Sequence, residues 1–169
     1  AEAARRVVVV GGLHGNEAIG PAFVEALLAR TDFPADLEVV GVPVANPDGV
    51  AGWTRVNANG VDLNRNFPYS WGRSRDRRLR DRNPGRAATD QPETAAVLQL
   101  CDSSVLSMPR LFVWLHNPLG YVTSIGPSEE GGWYAQQWRK AARYRSQWVV
   151  QSGGSESYCA FELGAPSIL

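Results

Sequence analysis

Four consecutive valines, Val7 to Val10, stop at Gly11-Gly12, and a turn follows: Leu13-His14-Gly15-Asn16-Glu17. A β-branched run favours the pleated conformation, and a pair of glycines ends it in a tight turn. The run therefore reads as a buried strand whose carboxyl end presents a histidine and, three residues on, a glutamate. Imidazole nitrogen and carboxylate oxygen are both zinc ligands at about 2 Å, and two of them on one short turn can reach the same ion. A catalytic zinc site takes a third protein ligand and leaves a position open for water. The pattern thus sends the search to the other strand ends.

Residues 18–30 place Ile19, Phe23, Ala26 and Leu27 at helical spacing, with Pro21 near the start, where its missing N–H is harmless. These four are the face expected to pack on the sheet. Residues 37–45 (LEVVGVPVA) are apolar almost throughout and read as a second buried strand. Strand, helix, strand implies a right-handed βαβ unit and a largely parallel sheet. Asn46-Pro47-Asp48-Gly49 reads as a turn. From there to Pro84 no periodicity stands out, and a connection of that length is commonly functional or disordered. It holds Arg55, Asn57, Asn59, Asp62, Asn64 and Arg65. Within residues 73–86 seven arginines crowd together, which reads as a solvated, mobile loop.

Asp90-Gln91-Pro92-Glu93 has the form of a capping box opening a helix to about Ser104, with Val97, Leu100 and Cys101 inward. Residues 111–115 (LFVWL) form a third strand, and His116 stands at its end. Ser128 caps a helix whose expected buried stripe is Tyr134, Trp138, Ala141 and the stem of Arg145. Residues 148–150 read as a short strand, Ser152-Gly153-Gly154-Ser155 as a flexible turn, and Ser167-Ile168-Leu169 as the start of a last strand. No repeat or linker is visible, so residues 1–169 are expected to form one α/β domain, a mixed, largely parallel sheet flanked by helices.

Composition narrows the function. A hydrophobic fraction of 44% supports a real core, and a net charge of zero gives no general reason to bind nucleic acid or an anionic membrane. No apolar run approaches the roughly 20 residues of a membrane span. Two cysteines are too few for a disulfide framework, and residues 1–6 carry no leader-like apolar segment, so a reducing, cytoplasmic setting is expected. The chain has two histidines, His14 and His116, and each follows an apolar strand. In open α/β sheets ligands gather at the carboxyl ends of strands. His14, Glu17 and His116 together are the ligand set of a hydrolytic zinc site. Such chemistry also needs a cation for the developing oxyanion, for which Arg55 and Arg65 are available, and a carboxylate to move protons.

The ordered series His14-Gly-Asn-Glu17, Asn46-Pro-Asp-Gly49, Arg55, Asn59-Gly-Val-Asp-Leu-Asn-Arg-Asn-Phe-Pro68, Pro92-Glu-Thr94 and Leu115-His-Asn-Pro-Leu119 resembles the zinc carboxypeptidase (M14) family. Within it the chain is most similar to the short bacterial members of the murein peptide amidase A type. The resemblance spans roughly residues 7–169 and implies a zinc carboxypeptidase-like fold trimmed at one or both ends. It implies one Zn2+ per chain on His14, Glu17 and His116, with Arg55 polarising the scissile carbonyl and holding the oxyanion. Asn64 and Arg65 would grip the substrate's free carboxylate, leaving Asp62, Asn57 and Asn59 as loop-shaping residues. The implied reaction is hydrolysis of an amide next to a free carboxylate, plausibly in murein-type peptides. Asn117, where carboxypeptidases often have Ser, resembles instead the aspartoacylase and succinylglutamate desuccinylase relatives, so an N-acyl amino acid deacylase is the alternative. For the family's general-base Glu two registers compete. Either Phe161-Glu162-Leu163 is its strand, or Ser167-Ile168-Leu169 begins that strand and the base lies beyond Leu169. The second is adopted, because Glu162 before Leu-Gly-Ala-Pro reads as a helix end and turn. On that reading a zinc- and carboxylate-binding domain without turnover is a further alternative.

Overall fold

The computed structural model describes residues 5–73, 82–101, 111–117, 121–145 and 153–169. The element order is β1 (Arg5–Val10), α1 (Ile19–Leu28), β2 (Leu37–Val42), α2 (Pro47–Gly52), a 3-10 turn (Leu63–Arg65), α3 (Pro92–Cys101), β3 (Leu111–Trp114), β4 (Ser124–Ile125), α4 (Glu129–Ala142), α5 (Ser155–Phe161) and β5 (Ser167–Ile168). The strands form one sheet in the order β2-β1-β3-β5-β4. β1 is parallel to both β2 and β3, β3 is parallel to β5, and among the described strands only β4 runs antiparallel. Most of the 73–86 arginine segment, the strand expected at 148–150 and the helix beyond Cys101 lie outside the described residues.

Alternation along the central strands feeds two cores. Val8 and Val10 on β1 join Phe112 and Trp114 on β3, with Leu13, Leu63, Phe67, Cys101 and Cys159, on one face of the sheet. Val9, Leu111 and Val113 join Val24, Val122, Ala135 and Ile168 on the other. Full burial of side chains such as Phe67, Phe112 and Trp114 contributes about 1.5–3 kcal/mol each relative to exposure. That burial holds β1 and β3 side by side, with Val10 opposite Trp114.

Several expectations are corrected. On α1 the sheet-facing residues are Gly20 and Val24, with Leu27 packed beside them, while Ile19 and Phe23 are 66% and 41% exposed and Ala26 is exposed. The reason is a backbone contact: a Cβ on Gly11 would lie 2.6 Å from the Gly20 carbonyl carbon. Glycine at that closest approach turns the helix by one residue from the face its hydrophobicity suggests. Ile19 and Phe23 instead line a cavity of about 380 Å³ with Trp138, Tyr144 and Leu169.

The Asn46–Gly49 turn is the start of α2. The Asn46 side chain accepts from the Gly49 N–H at 2.9 Å, Pro47 occupies the first turn, and Trp53 closes the helix in the left-handed region. The capping box at α3 is absent from the described bonds. Asp90 accepts from the Arg86 and Ala87 N–H groups and from Asn66 and Gln91, and Glu93 accepts from Asn57. Leu100 is only half-buried, unlike Val97 and Cys101. On α4 the Ser128 cap is present. Gly131 and Ala135 are buried and Tyr134 and Trp138 pack beside the core, whereas Ala141 and Arg145 are exposed. The helix ends at Ala142, and Arg143 in the left-handed conformation breaks the periodicity that would have turned Arg145 inward.

Gly15 is a second point of close approach, since a Cβ there would lie 1.8 Å from the Gly49 carbonyl carbon on α2. Gly15→Ala must push the His14 turn off α2. We expect a loss of about 3 kcal/mol or more, read as a lowered urea midpoint in chelator-treated protein. A loss within 0.5 kcal/mol, about what an ordinary surface change costs, would contradict that packing.

Candidate metal centre

The turn after β1 is fixed by its backbone. Gly11 donates to Val42 and accepts from Ala45, and Gly12 adopts a positive φ of 62° that only glycine takes without strain. The Glu17 N–H donates to the His14 carbonyl. His116 lies two residues past β3, and because β1 and β3 are adjacent and parallel, both histidines emerge at the same sheet edge.

There the three side chains converge. His14 Nδ1 is 2.9 Å from Glu17 Oε1, His116 Nδ1 is 2.9 Å from Glu17 Oε2, and the two Nδ1 atoms are 3.0 Å apart. His14 Nε2 lies 3.1 Å from Asp62 Oδ1. A carboxylate only accepts, so Nε2 is the donor and Nδ1 of neutral His14 keeps its lone pair towards the centre. Acceptor atoms gather this closely only around a proton or a cation. Ligands at about 2.0–2.1 Å on a tetrahedral zinc stand about 3.3 Å from one another, so a small expansion admits the ion. His14, Glu17 and His116 could hold a metal ion, their ligand atoms all lying within 4.8 Å of one another.

The titration of these groups follows from the same contacts. For Glu17, burial pushes the carboxyl up, but hydrogen bonds from His116 and His14 outweigh it and bring it down to about 2. For His14, burial favours the neutral ring, yet the Asp62 and Glu17 carboxylates prevail and its pKa is raised. A raised His14 pKa lets a proton compete with zinc for Nδ1 up to a higher pH than at an ordinary histidine. Zinc affinity is therefore expected to rise with pH through the neutral range. Calorimetry in buffers of different ionisation enthalpy would show proton release, and an enthalpy independent of buffer would contradict this.

Asp62 shapes the loop, capping the 3-10 turn, and also does more. Fully buried, it meets His14 through Oδ1 and accepts from Arg55 Nε at 2.9 Å through Oδ2, while the Asn64 N–H donates to Oδ1 at 3.0 Å. Burial raises its carboxyl and His14, then Arg55 and Arg65, bring it down below the usual carboxylate range. Arg55 is thereby aimed at the centre, its Nη1 3.9 Å from Glu17 Oε1, with the side chain still 23% exposed. Asn57 and Asn59 do shape the loop. Asn57 Oδ1 accepts from the Asn59 and Val61 N–H groups, and both side-chain amides donate to Gln91.

Asn64 accepts from the Ser155 N–H and hydroxyl through Oδ1 and faces His116 Nε2 at 3.4 Å with Nδ2. Arg65 is buried, donates to the Asn64 carbonyl at 2.8 Å, and has its pKa lowered chiefly by that burial. The structure thus brings Arg55, Asn64 and Arg65 to the His14–Glu17–His116 edge through the single stretch from Arg55 to Arg65.

The model of the zinc carboxypeptidase peptidase family matches residues 1–125. The chain belongs to the zinc carboxypeptidase (M14) family. It is 34% identical to murein peptide amidase A of Escherichia coli strain K12 over 143 residues, 76% of this chain and 56% of that protein. The counterpart from Vibrio campbellii is 30% identical over 80% of this chain and 57% of its own length. The chain therefore spans a little over half the length of these relatives. The crystal structure of a murein-tripeptide amidase from Escherichia coli O157 is similar over 99% of this chain and 71% of its own, at 29% identity and a TM-score of 0.68. Carboxypeptidase A of Helicoverpa armigera shares the fold, with a TM-score of 0.76 over 98% of this chain and 52% of its own at 22% identity.

Glu162 is the exposed residue that closes α5, so Phe161-Glu162-Leu163 is not a strand. The strand in this part of the chain is β5, which runs parallel beside β3. The Gly153–Ser155 part of the expected flexible turn is instead buried, with the Gly153 carbonyl accepting from Phe67 and Ser155 held on Asn64. Immediately after it, Glu156 is 0% exposed; Oε2 accepts from the Ser155 hydroxyl, and Oε1 has no partner among the described residues. Its charge is felt by Arg65 and Tyr121. Sequence reasoning missed Glu156, and only its place directly after Gly-Gly-Ser could have flagged it.

Proposed function

We propose that this chain carries the metal and substrate-carboxylate sites of a zinc-dependent hydrolase that cleaves an amide next to a free carboxylate, in murein-type peptides. The observation that carries the reading is the convergence of three potential ligand groups, His14 Nδ1, the Glu17 carboxylate and His116 Nδ1, beside Arg55 and the buried Arg65. His14, Glu17 and His116 would hold one zinc, which when bound supplies a Lewis acid and lowers the pKa of water. Arg55, steadied by Asp62, offers a guanidinium to negative charge developing on the scissile carbonyl. Arg65, with Asn64, offers a planar fork to the substrate's terminal carboxylate.

We place the proton-moving carboxylate at the carboxyl end of β5, because that strand runs parallel beside β3, which His116 follows. The test compares a γ-D-glutamyl-diaminopimelyl peptide with an N-acyl amino acid as substrates of the protein. Preference for the peptide supports the reading, and preference for the acyl amino acid moves the protein to the deacylases. Within the favoured substrate, Arg65→Gln is expected to raise KM about 100-fold with a smaller change in kcat, as for a lost charged contact of about 3 kcal/mol. A change confined to kcat would contradict carboxylate binding by Arg65.

A further inference from the structure

The two cysteines, far apart in sequence, meet in the core. Cys101 is the last residue of α3 and Cys159 lies within α5, and their sulfurs are 3.7 Å apart. Both are fully buried in the cluster that contains Phe67 and Trp114. We propose that Cys101 and Cys159 are a disulfide-forming pair, closed by exchange with a small-molecule disulfide such as oxidised glutathione while the chain folds.

Closure needs the sulfurs to approach by about 1.7 Å, to a bond length near 2.0 Å. That is a distance side-chain rotation and a slight shift of two helix ends can cover. In the folded, reduced protein the reaction is blocked. The thiols are out of contact with solvent, and burial pushes the Cys159 thiol well up, leaving little thiolate. Exchange therefore belongs to the open chain. One cysteine thiolate attacks a sulfur of the external disulfide and expels one thiolate. The second cysteine then attacks the mixed disulfide at the protein sulfur and expels the other. Two cysteine thiols and one external disulfide become one protein disulfide and two small thiols, with the protons passing to the released thiolates.

The link spans 58 positions and encloses β3, His116, β4 and α4. It fastens α5, whose first residue holds Asn64 and whose lead-in glycine packs on Arg65: a Cβ on Gly153 would lie 2.1 Å from the Arg65 carbonyl oxygen. A disulfide here would staple the carboxylate-binding residues to the core. For a loop of this length the expected rise in melting temperature is roughly 10 °C.

The protein is refolded with chelator in a reduced/oxidised glutathione buffer and, separately, in excess reductant. Each sample is then denatured, treated with iodoacetamide and weighed by mass spectrometry, and its melting is recorded. The expected result is an unalkylated monomer two hydrogens lighter from the glutathione buffer, two alkyl groups on the reduced sample, and the higher melting temperature for the oxidised one. Two alkyl groups after oxidative refolding, disulfide-linked dimers, or an oxidised monomer that melts no higher would overturn the proposal. Cys101→Ala and Cys159→Ala should each abolish the difference between the two buffers. The comparison is made within one variant, so a general loss of stability does not imitate that result. If a variant fails to fold, the mass measurement on the unaltered chain decides alone.

Discussion

Replacing His116 with alanine should take zinc from one ion per chain to about a tenth of that or less after dialysis against micromolar zinc. Structural zinc sites bind with about 10–16 kcal/mol shared over four ligands, so one ligand accounts for roughly 3–4 kcal/mol, or about 10²–10³ in affinity. The loss is compounded here by what His116 leaves behind. Its Nδ1 meets Glu17 Oε2 and His14 Nδ1, and its removal leaves that oxygen, on a 10%-exposed carboxylate side chain, with only the Asn117 N–H at 3.2 Å. The measurement is metal content together with competition against a chromogenic chelator. His116→Ala protein that keeps one tightly held zinc would remove His116 from the ligand set and leave the pairing of the two strand ends without its proposed purpose.

The metal edge was legible because its evidence is local and its residue types are scarce. Two histidines, each following an apolar strand, mark two strand ends, and the β-branched run Val7–Val10 leaves little doubt where the first lies. What the sequence hid depends on distant backbone contacts. The face of α1 is chosen by Gly11 against Gly20, which no hydrophobic periodicity encodes. The burial of Gly153 to Glu156 depends on a close approach to Arg65, so a glycine-rich stretch that looks flexible alone is a fixed wall of the site. The same holds for the cysteines. Their number argues against a disulfide framework, yet the approach of α5 to α3 sets them side by side. Asp62 was read only in part for a further reason: an aspartate capping a short turn, as it does through the Asn64 N–H, explains itself locally. Its second role appears only once β1 brings His14 within 3.1 Å.

That second role makes Asp62 the residue whose loss should damage most at once. Asp62→Ala removes the acceptor that fixes the His14 ring and the anchor of Arg55, and leaves a guanidinium that is only 23% exposed without its closest carboxylate. Breaking a buried charged network by deleting one member costs about 3–5 kcal/mol. Loss of a carboxylate behind a metal-binding histidine weakens metal affinity by about 10–100-fold. The two effects can be separated. Asp62→Asn keeps the shape and an oxygen acceptor for one neighbour but carries no charge. It should fold with a smaller loss of stability while still showing the weakened zinc binding. Urea unfolding with chelator reads the first effect, and zinc competition on the folded fraction reads the second. If Asp62→Asn bound zinc as tightly as the unaltered chain, the orientation of His14 would rest on Glu17 and the turn backbone alone. Asp62 would then be a loop residue, as its sequence context suggests.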